Sequence, residues 1–162
     1  MSELWNPVAL QDAGLNASFV QDNLSLSNAV GVVRALHFQI PPFQQGKLIT
    51  CLTGAIFDVA LDLRQGSPTY GEHISVELSS DDGKVIWIPP GFAHGYCSLE
   101  PETRVLYKLT APYQQGATGG VRWDDPELGI DWPVSVHSAV VNERDHGWPT
   151  LSEFVSPFEW TG

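Results

Sequence analysis

The sequence predicts an all-β chain, a jelly-roll β-barrel with short peripheral helices, and two observations carry that expectation. Glycine and proline, 15 and 12 of the 162 residues, punctuate the chain at short intervals. Between them lie short runs in which apolar and polar residues alternate with period two, the pattern of strands that bury one face. Many short strands separated by regular turn signals belong to sandwiches and barrels.

The turn signals fall in order at Pro41-Pro42, Gly46, Gly54, Gly66-Ser67-Pro68, Gly71, Asp82-Gly83, Pro89-Pro90-Gly91 and Gly116. In 56–64, Phe57, Val59, Leu61 and Leu63 alternate with Asp58, Asp62 and Arg64. In 73–79, Ile74, Val76 and Leu78 alternate with Ser75, Glu77 and Ser79. Helical signal is confined to a short turn over 7–13 and another over 151–155. There are no internal repeats or low-complexity segments. The length fits one domain, 1–162, with a core of its own.

Charge narrows the partners. Eight Lys and Arg stand against nineteen Asp and Glu, a formal net charge of −11. A nucleic-acid partner needs a basic face, so none is expected. A small anionic ligand remains compatible, because a pocket can gather a few of the cations Arg34, Lys47, Lys108, Arg122 and Arg144 inside an acidic shell. No stretch approaches the roughly 18 consecutive apolar residues of a membrane span, so no membrane partner is expected. The start, MSELWNPVAL, lacks the basic and apolar regions of a signal peptide, which predicts a cytoplasmic protein. Cys51 and Cys97, both in apolar strand-like runs, are expected to be buried thiols rather than a disulfide.

Of five histidines, two have informative settings. His37 lies in the strand-like run 31–39, and His94 ends the turn Pro89-Pro90-Gly91-Phe92-Ala93-His94. A strand histidine by itself is more often packed or exposed than catalytic, and His73, His137 and His146 have nothing more to commend them. A metal-binding jelly roll commonly carries His-x-His with a later Glu and His. Here His37 is followed by Phe38 and Gln39, leaving too few ligands for a stable site, so no metal is expected.

Proton chemistry is the alternative. A sugar carbon beside a ketone loses its proton when a base near neutrality is at hand, which favours His held by a carboxylate. Fixed cations must stabilise the enolate oxygen. Inversion needs an acid on the opposite face of the ring, and a Tyr hydroxyl suits that role. The chain offers His37 as base, Lys47 or Arg34 as cation, and Tyr107, which shares a strand face with Val105 and Leu109, as acid.

The surrounding segments resemble the dTDP-4-dehydrorhamnose 3,5-epimerase family. They include 21–25 (QDNLS), 33–39 (VRALHFQ), 45–48 (QGKL), 57–64 (FDVALDLR) and 66–71 (GSPTYG). The series continues with 87–95 (WIPPGFAHG), 106–108 (LYK), 122–126 (RWDDP), 129–133 (GIDWP) and Arg144-Asp145. The resemblance implies a cupin barrel in which His37 is the catalytic base, Asp145 its carboxylate partner and Tyr107 the proton donor of the opposite face. Lys47 and Arg34 would stabilise the enolate at the C4 oxygen. Gln21, Asn23, His94 and Tyr113 would contact the sugar or the nucleotide diphosphate. It further implies a dTDP-4-keto-6-deoxyhexose substrate, no metal or cofactor, and a homodimer acting in deoxysugar biosynthesis.

The sequence departs from the family pattern in three places. The N-terminal Asp-x-Arg-Gly-x-Phe run is not matched, leaving Glu3 as the counterpart of the Glu that ends it, so the chain is expected to be short there. Leu24 and Leu26 stand where His and Arg are common, and Thr118 where an acidic residue is common. Arg34 and His37 also pose a geometric demand. Three residues apart, they point to opposite faces of an ideal strand, so acting on one substrate requires a bulge between them. Three other readings remain open in the sequence: a non-catalytic sugar-nucleotide-binding cupin, an epimerase of one carbon only, and a metal-dependent cupin.

Overall fold

The structure, a computed structural model, describes residues 4–162. Its main elements are two β-sheets facing each other. The first has the strand order β1 (Gln21–Ser27), β9 (Thr103–Leu109), β3 (Lys47–Thr53) and β7 (Val85–Ile88). The second runs β10 (Thr118–Gly120), β2 (Val32–Gln39), β8 (Phe92–Ser98), β4 (Ala55–Asp62) and β6 (His73–Ser79), with β11 (Val140–Val141) lying parallel to β2. A two-stranded ladder of β5 (Arg64–Gln65) and β12 (Phe158–Glu159) ties the C-terminal segment to the body. This is a jelly-roll arrangement, as the alternating sequence predicts.

Two apolar clusters hold the layers. One fills the space between the sheets and includes Ile49, Ile56, Leu78, Ile88, Tyr96 and Val105. The other lies on the outer face of the second sheet. There Val33, Leu36, Phe38, Val59, Leu61 and Cys97 are roofed by Val121, Trp123, Leu128 and Phe158 from the C-terminal segment. Each fully buried side chain of this kind contributes about 1.5–3 kcal/mol, so the irregular C-terminal segment is part of the structural core rather than a tail.

This roof corrects a simple reading of β4. Its alternation suggests one buried face and one wet one, yet both are covered. Val59 and Leu61 face the roof, while Ile56, Asp58, Ala60 and Asp62 are buried on the other side. Buried carboxylates require partners. His94 serves Asp58, and Asp62 accepts from Arg64, Ser67 and Thr69. Arg64 in turn lies between the rings of Phe92 and Trp160, at 4.5 and 4.4 Å from their centroids.

The helix α1 (Pro7–Asp12) forms where the sequence places a turn. Asn6 caps it by accepting from the amides of Val8 and Ala9, and Pro7 stands at its first position. The second expected turn, over 151–155, forms without becoming a helix. Glu153 and Phe154 donate to Thr150 and Leu151 in single turns, and the chain then extends so that the Ser156 hydroxyl bonds the Leu63 carbonyl. Short 3-10 turns occur instead at Pro126–Leu128 and Glu143–His146. Ile74 differs as well: it is exposed, because β6 is an edge strand.

Candidate active site

The bulge that the chemistry demands is present. On β2, Arg34 pairs with Tyr96 and His37 with His94, so three steps on β2 match two on β8. The extra residue restores a common face, and Arg34 and His37 both look into the barrel. Gly95 makes room for it: a Cβ there would lie 2.3 Å from the Ala35 Cβ.

A cavity of about 920 Å³ opens at this end of the barrel. Arg34, His37, Lys47, Asn23, His94, Tyr107, Tyr113 and Asp145 all line it, although they come from five strands and two connecting segments. Gln21 acts from behind. Its side chain donates to Asn23 Oδ1 and accepts from the Tyr113 amide, at 2.9 and 2.8 Å, so it fixes two of the lining residues to each other. Glu3 lies outside the described residues.

His37 Nε2 lies 2.7 Å from Asp145 Oδ1. A carboxylate only accepts, so Nε2 carries the hydrogen and the neutral ring keeps its lone pair on Nδ1. Burial pushes the His37 pKa below its ordinary value against the opposing pull of Asp145, which keeps the ring neutral at physiological pH. Asp145 is itself buried. Burial alone would raise its pKa, but the His37 hydrogen bond and the neighbouring charges outweigh that and hold it low. It is delivered by the 3-10 turn Glu143–His146, which Asn142 caps by accepting from the Arg144 amide. The parallel pairing of β11 on β2 brings that turn to the barrel mouth.

Lys47 lies behind His37. Lys47 Nζ donates to the His37 carbonyl at 3.1 Å. Burial lowers its pKa to about 8, with the Asp58 charge acting in the opposite sense. The ammonium is therefore mostly charged at neutrality yet poorly solvated, the condition in which a fixed charge acts most strongly on a developing oxyanion. Across the cavity, Tyr107 meets His94 edge to face at 5.8 Å. Burial, followed by its Tyr96 and Asp58 neighbours, raises the Tyr107 pKa well above the ordinary phenol, with Arg34 opposing. The phenol therefore keeps its proton at neutral pH.

Several contributors escape a reading of the sequence. Asp58 fixes His94 by accepting from Nε2 at 2.8 Å, and its other oxygen has no hydrogen-bond partner among the described residues. The Trp148 and His37 rings meet edge to face with centroids 6.4 Å apart, and the indole lies on Gly120, where a Cβ would come within 2.6 Å of it. Gln45 also reaches the cavity, beside Arg144, one of the cations that the sequence offers to a pocket. Thr118 lines it with a hydroxyl that has no partner among the described residues. Among the described residues, no three His, Cys, Asp or Glu side chains cluster as metal ligands would.

Comparison with known proteins gives the family. The family model described as dTDP-4-dehydrorhamnose 3,5-epimerase matches residues 1–153. An enzyme of that name from Sinorhizobium fredii is 48% identical over 158 residues, covering 98% of this chain and 78% of the relative. The crystal structure of a dTDP-4-dehydrorhamnose 3,5-epimerase from Bacillus anthracis, with TDP and pyrophosphate bound, superposes with a TM-score of 0.89 at 43% identity. That match covers 93% of this chain and 85% of the other. A dTDP-6-deoxy-D-glucose-3,5-epimerase from Legionella pneumophila, in complex with dTDP-4-keto-L-rhamnose, gives a TM-score of 0.86 at 38% identity, covering 93% and 79%. The chain belongs to the dTDP-4-dehydrorhamnose 3,5-epimerase family, an isomerase family with a cupin-type jelly roll.

Proposed function

We propose that the chain epimerises a dTDP-4-keto-6-deoxyhexose at C3 and C5, a step toward dTDP-rhamnose. The observation that carries this reading is a neutral His37 hydrogen-bonded to the Asp145 carboxylate on one wall of the cavity, with the phenol of Tyr107 on another. Identity of 48% with a 3,5-epimerase supports the double inversion.

In this mechanism His37 Nδ1 removes the proton beside the C4 ketone, and the electron pair of the broken C–H bond moves onto the C4 oxygen. Lys47 and Arg34 stabilise that enolate. Tyr107 then protonates the carbon from the opposite face, leaving a phenolate and an imidazolium. Asn23, His94 and Tyr113 hold the sugar and the diphosphate, with Gln21 bracing Asn23 and Tyr113. No cofactor takes part in these steps.

We further propose that one cupin-type unit carries the site and that two copies associate. β1 is a sheet edge that pairs with no strand on its outer side among the described residues, and it bears the exposed Leu24 and Leu26. Such an edge is ordinarily covered. The free thiols of Cys51 and Cys97 fit a reducing, cytoplasmic setting.

The test is proton NMR of dTDP-4-keto-6-deoxyglucose incubated with the protein in deuterated buffer. Loss of both the C3 and C5 signals with formation of the L-lyxo 4-keto sugar is expected. Loss of one signal would define a single-carbon epimerase, and loss of neither would overturn the reading. Light scattering during gel filtration should return twice the mass of one chain.

A further inference from the structure

One buried phenol has no part in the reaction described so far. Tyr96 is fully buried between the sheets, one strand position beyond His94 on the same face of β8. Its hydroxyl lies 2.9 Å from Ser25 Oγ and 3.1 Å from Ser27 Oγ, both on β1. Register places these serines beside the proposed acid. Asn23 pairs with Tyr107 and Ser25 with Val105, so Ser25 lies one rung from Tyr107 on the same face. Tyr107 packs against the inter-sheet cluster to which Tyr96 belongs. Ser25 also lines the cavity next to the exposed Leu24 and Leu26 at its mouth, whereas Ser27 is buried. The result is a row of hydroxyls, Tyr107, Tyr96 and Ser25, running from the acid to the rim.

The proposed reaction needs such a row. Each inversion removes one proton from carbon to His37 and returns one from Tyr107, leaving imidazolium and phenolate on opposite walls. Tyr107 must regain a proton before it acts again, and a bound sugar blocks its direct access to water. Hydroxyls can close this gap, because each accepts a hydrogen on one side while donating on the other. A water at the rim gives a proton to Ser25, Ser25 gives its own to Tyr96, and Tyr96 gives its own to the Tyr107 phenolate. His37 loses its extra proton to solvent, so the enzyme returns to its starting state with no net change in protons.

We propose that Tyr96, with Ser25, is the positioning and proton-return element that resets Tyr107 between inversions. This rests on the reading of Tyr107 as the opposite-face acid, and the experiment separates the two. Tyr96→Phe keeps the ring that packs between the sheets and removes the hydroxyl. With enzyme in excess over dTDP-4-keto-6-deoxyglucose in deuterated buffer, the first ring proton should be lost within about twofold of the wild-type rate. With substrate in excess, turnover should fall at least tenfold and KM should fall with it, because the first step keeps its rate, and any second inversion should lag so that singly inverted sugar accumulates. Ser25→Ala combined with Ser27→Ala leaves both phenols in place and should act in the same direction, which keeps the test valid if Tyr96→Phe folds poorly. Wild-type turnover in a folded variant would overturn the inference while leaving the acid role of Tyr107 intact. An equal loss of first exchange and of turnover would overturn it too, since Tyr96 would then shape the site as a whole. If Tyr107→Phe inverts normally, the reading beneath the inference fails instead.

Discussion

His37 and Asp145 are 108 residues apart in the chain and 2.7 Å apart in the structure. The carboxylate does two things for the imidazole: it fixes the tautomer and it raises a pKa that burial lowers. Asp145→Asn should therefore cut kcat about 10²-fold and move the acidic limb of the kcat/KM profile to lower pH. The sign follows from the loss of the opposing pull, which leaves burial to act alone. A pH–rate series on the folded variant checks both effects, and a limb that moves upward would contradict the assignment.

The alkaline limb belongs to another residue. Lys47, with its pKa at about 8, loses its charge just above neutrality, and with it the stabilisation of the enolate that we propose for it. Activity should thus fall through about pH 8. Below the ordinary histidine range it should fall again as His37 protonates. Lys47→Met should lower kcat roughly 10²–10³-fold and remove the alkaline limb, as read from initial rates across pH.

Tyr107→Phe separates abstraction from delivery. His37 still removes the proton, and solvent deuterium returns by the same face, so exchange should persist with retained configuration. Inverted product should drop about 10²–10⁴-fold. Mass spectrometry for deuterium together with NMR for configuration reads the two outcomes independently.

Gly120 supports the dyad through packing. It pairs with His37 across β10 and β2, and the Trp148 indole lies where its Cβ would be. Gly120→Ala should push that ring off His37, costing about 1–3 kcal/mol of stability by overpacking and lowering kcat more than it changes KM. Thermal melts and steady-state kinetics measure the two.

Much of this was legible in the sequence and some was not, for identifiable reasons. Period-two alternation exposes strands, but it cannot say whether the polar face meets water. Asp58 and Asp62 lie on that face of β4 and are buried, because the far sheet and their own partners enclose them. The requirement that Arg34 and His37 act together predicts a bulge, and the small Gly95 on the neighbouring strand is its visible sign only once pairing is known. Asp145 pairs with His37 because β11 runs beside β2, and β11 is two residues long, too short to register as a pattern. Residue chemistry reaches His37, Lys47, Arg34 and Tyr107, family resemblance adds Asp145, Gln21, Asn23, His94 and Tyr113, and alternation reaches the barrel. Tyr96 is invisible to all three, since a tyrosine in an apolar run reads as ordinary core until its hydroxyl partners are seen.

The central claim is that His37 is the base that takes the ring proton, and one measurement addresses it most directly. dTDP-4-keto-6-deoxyglucose is incubated in deuterated buffer with the wild-type protein and with His37→Asn, and the ring-proton signals are followed by NMR. The account predicts exchange at C3 and C5 with wild type and a loss of roughly 10³-fold or more in the variant, at the scale of a missing general base. Exchange at the wild-type rate in folded His37→Asn would contradict it.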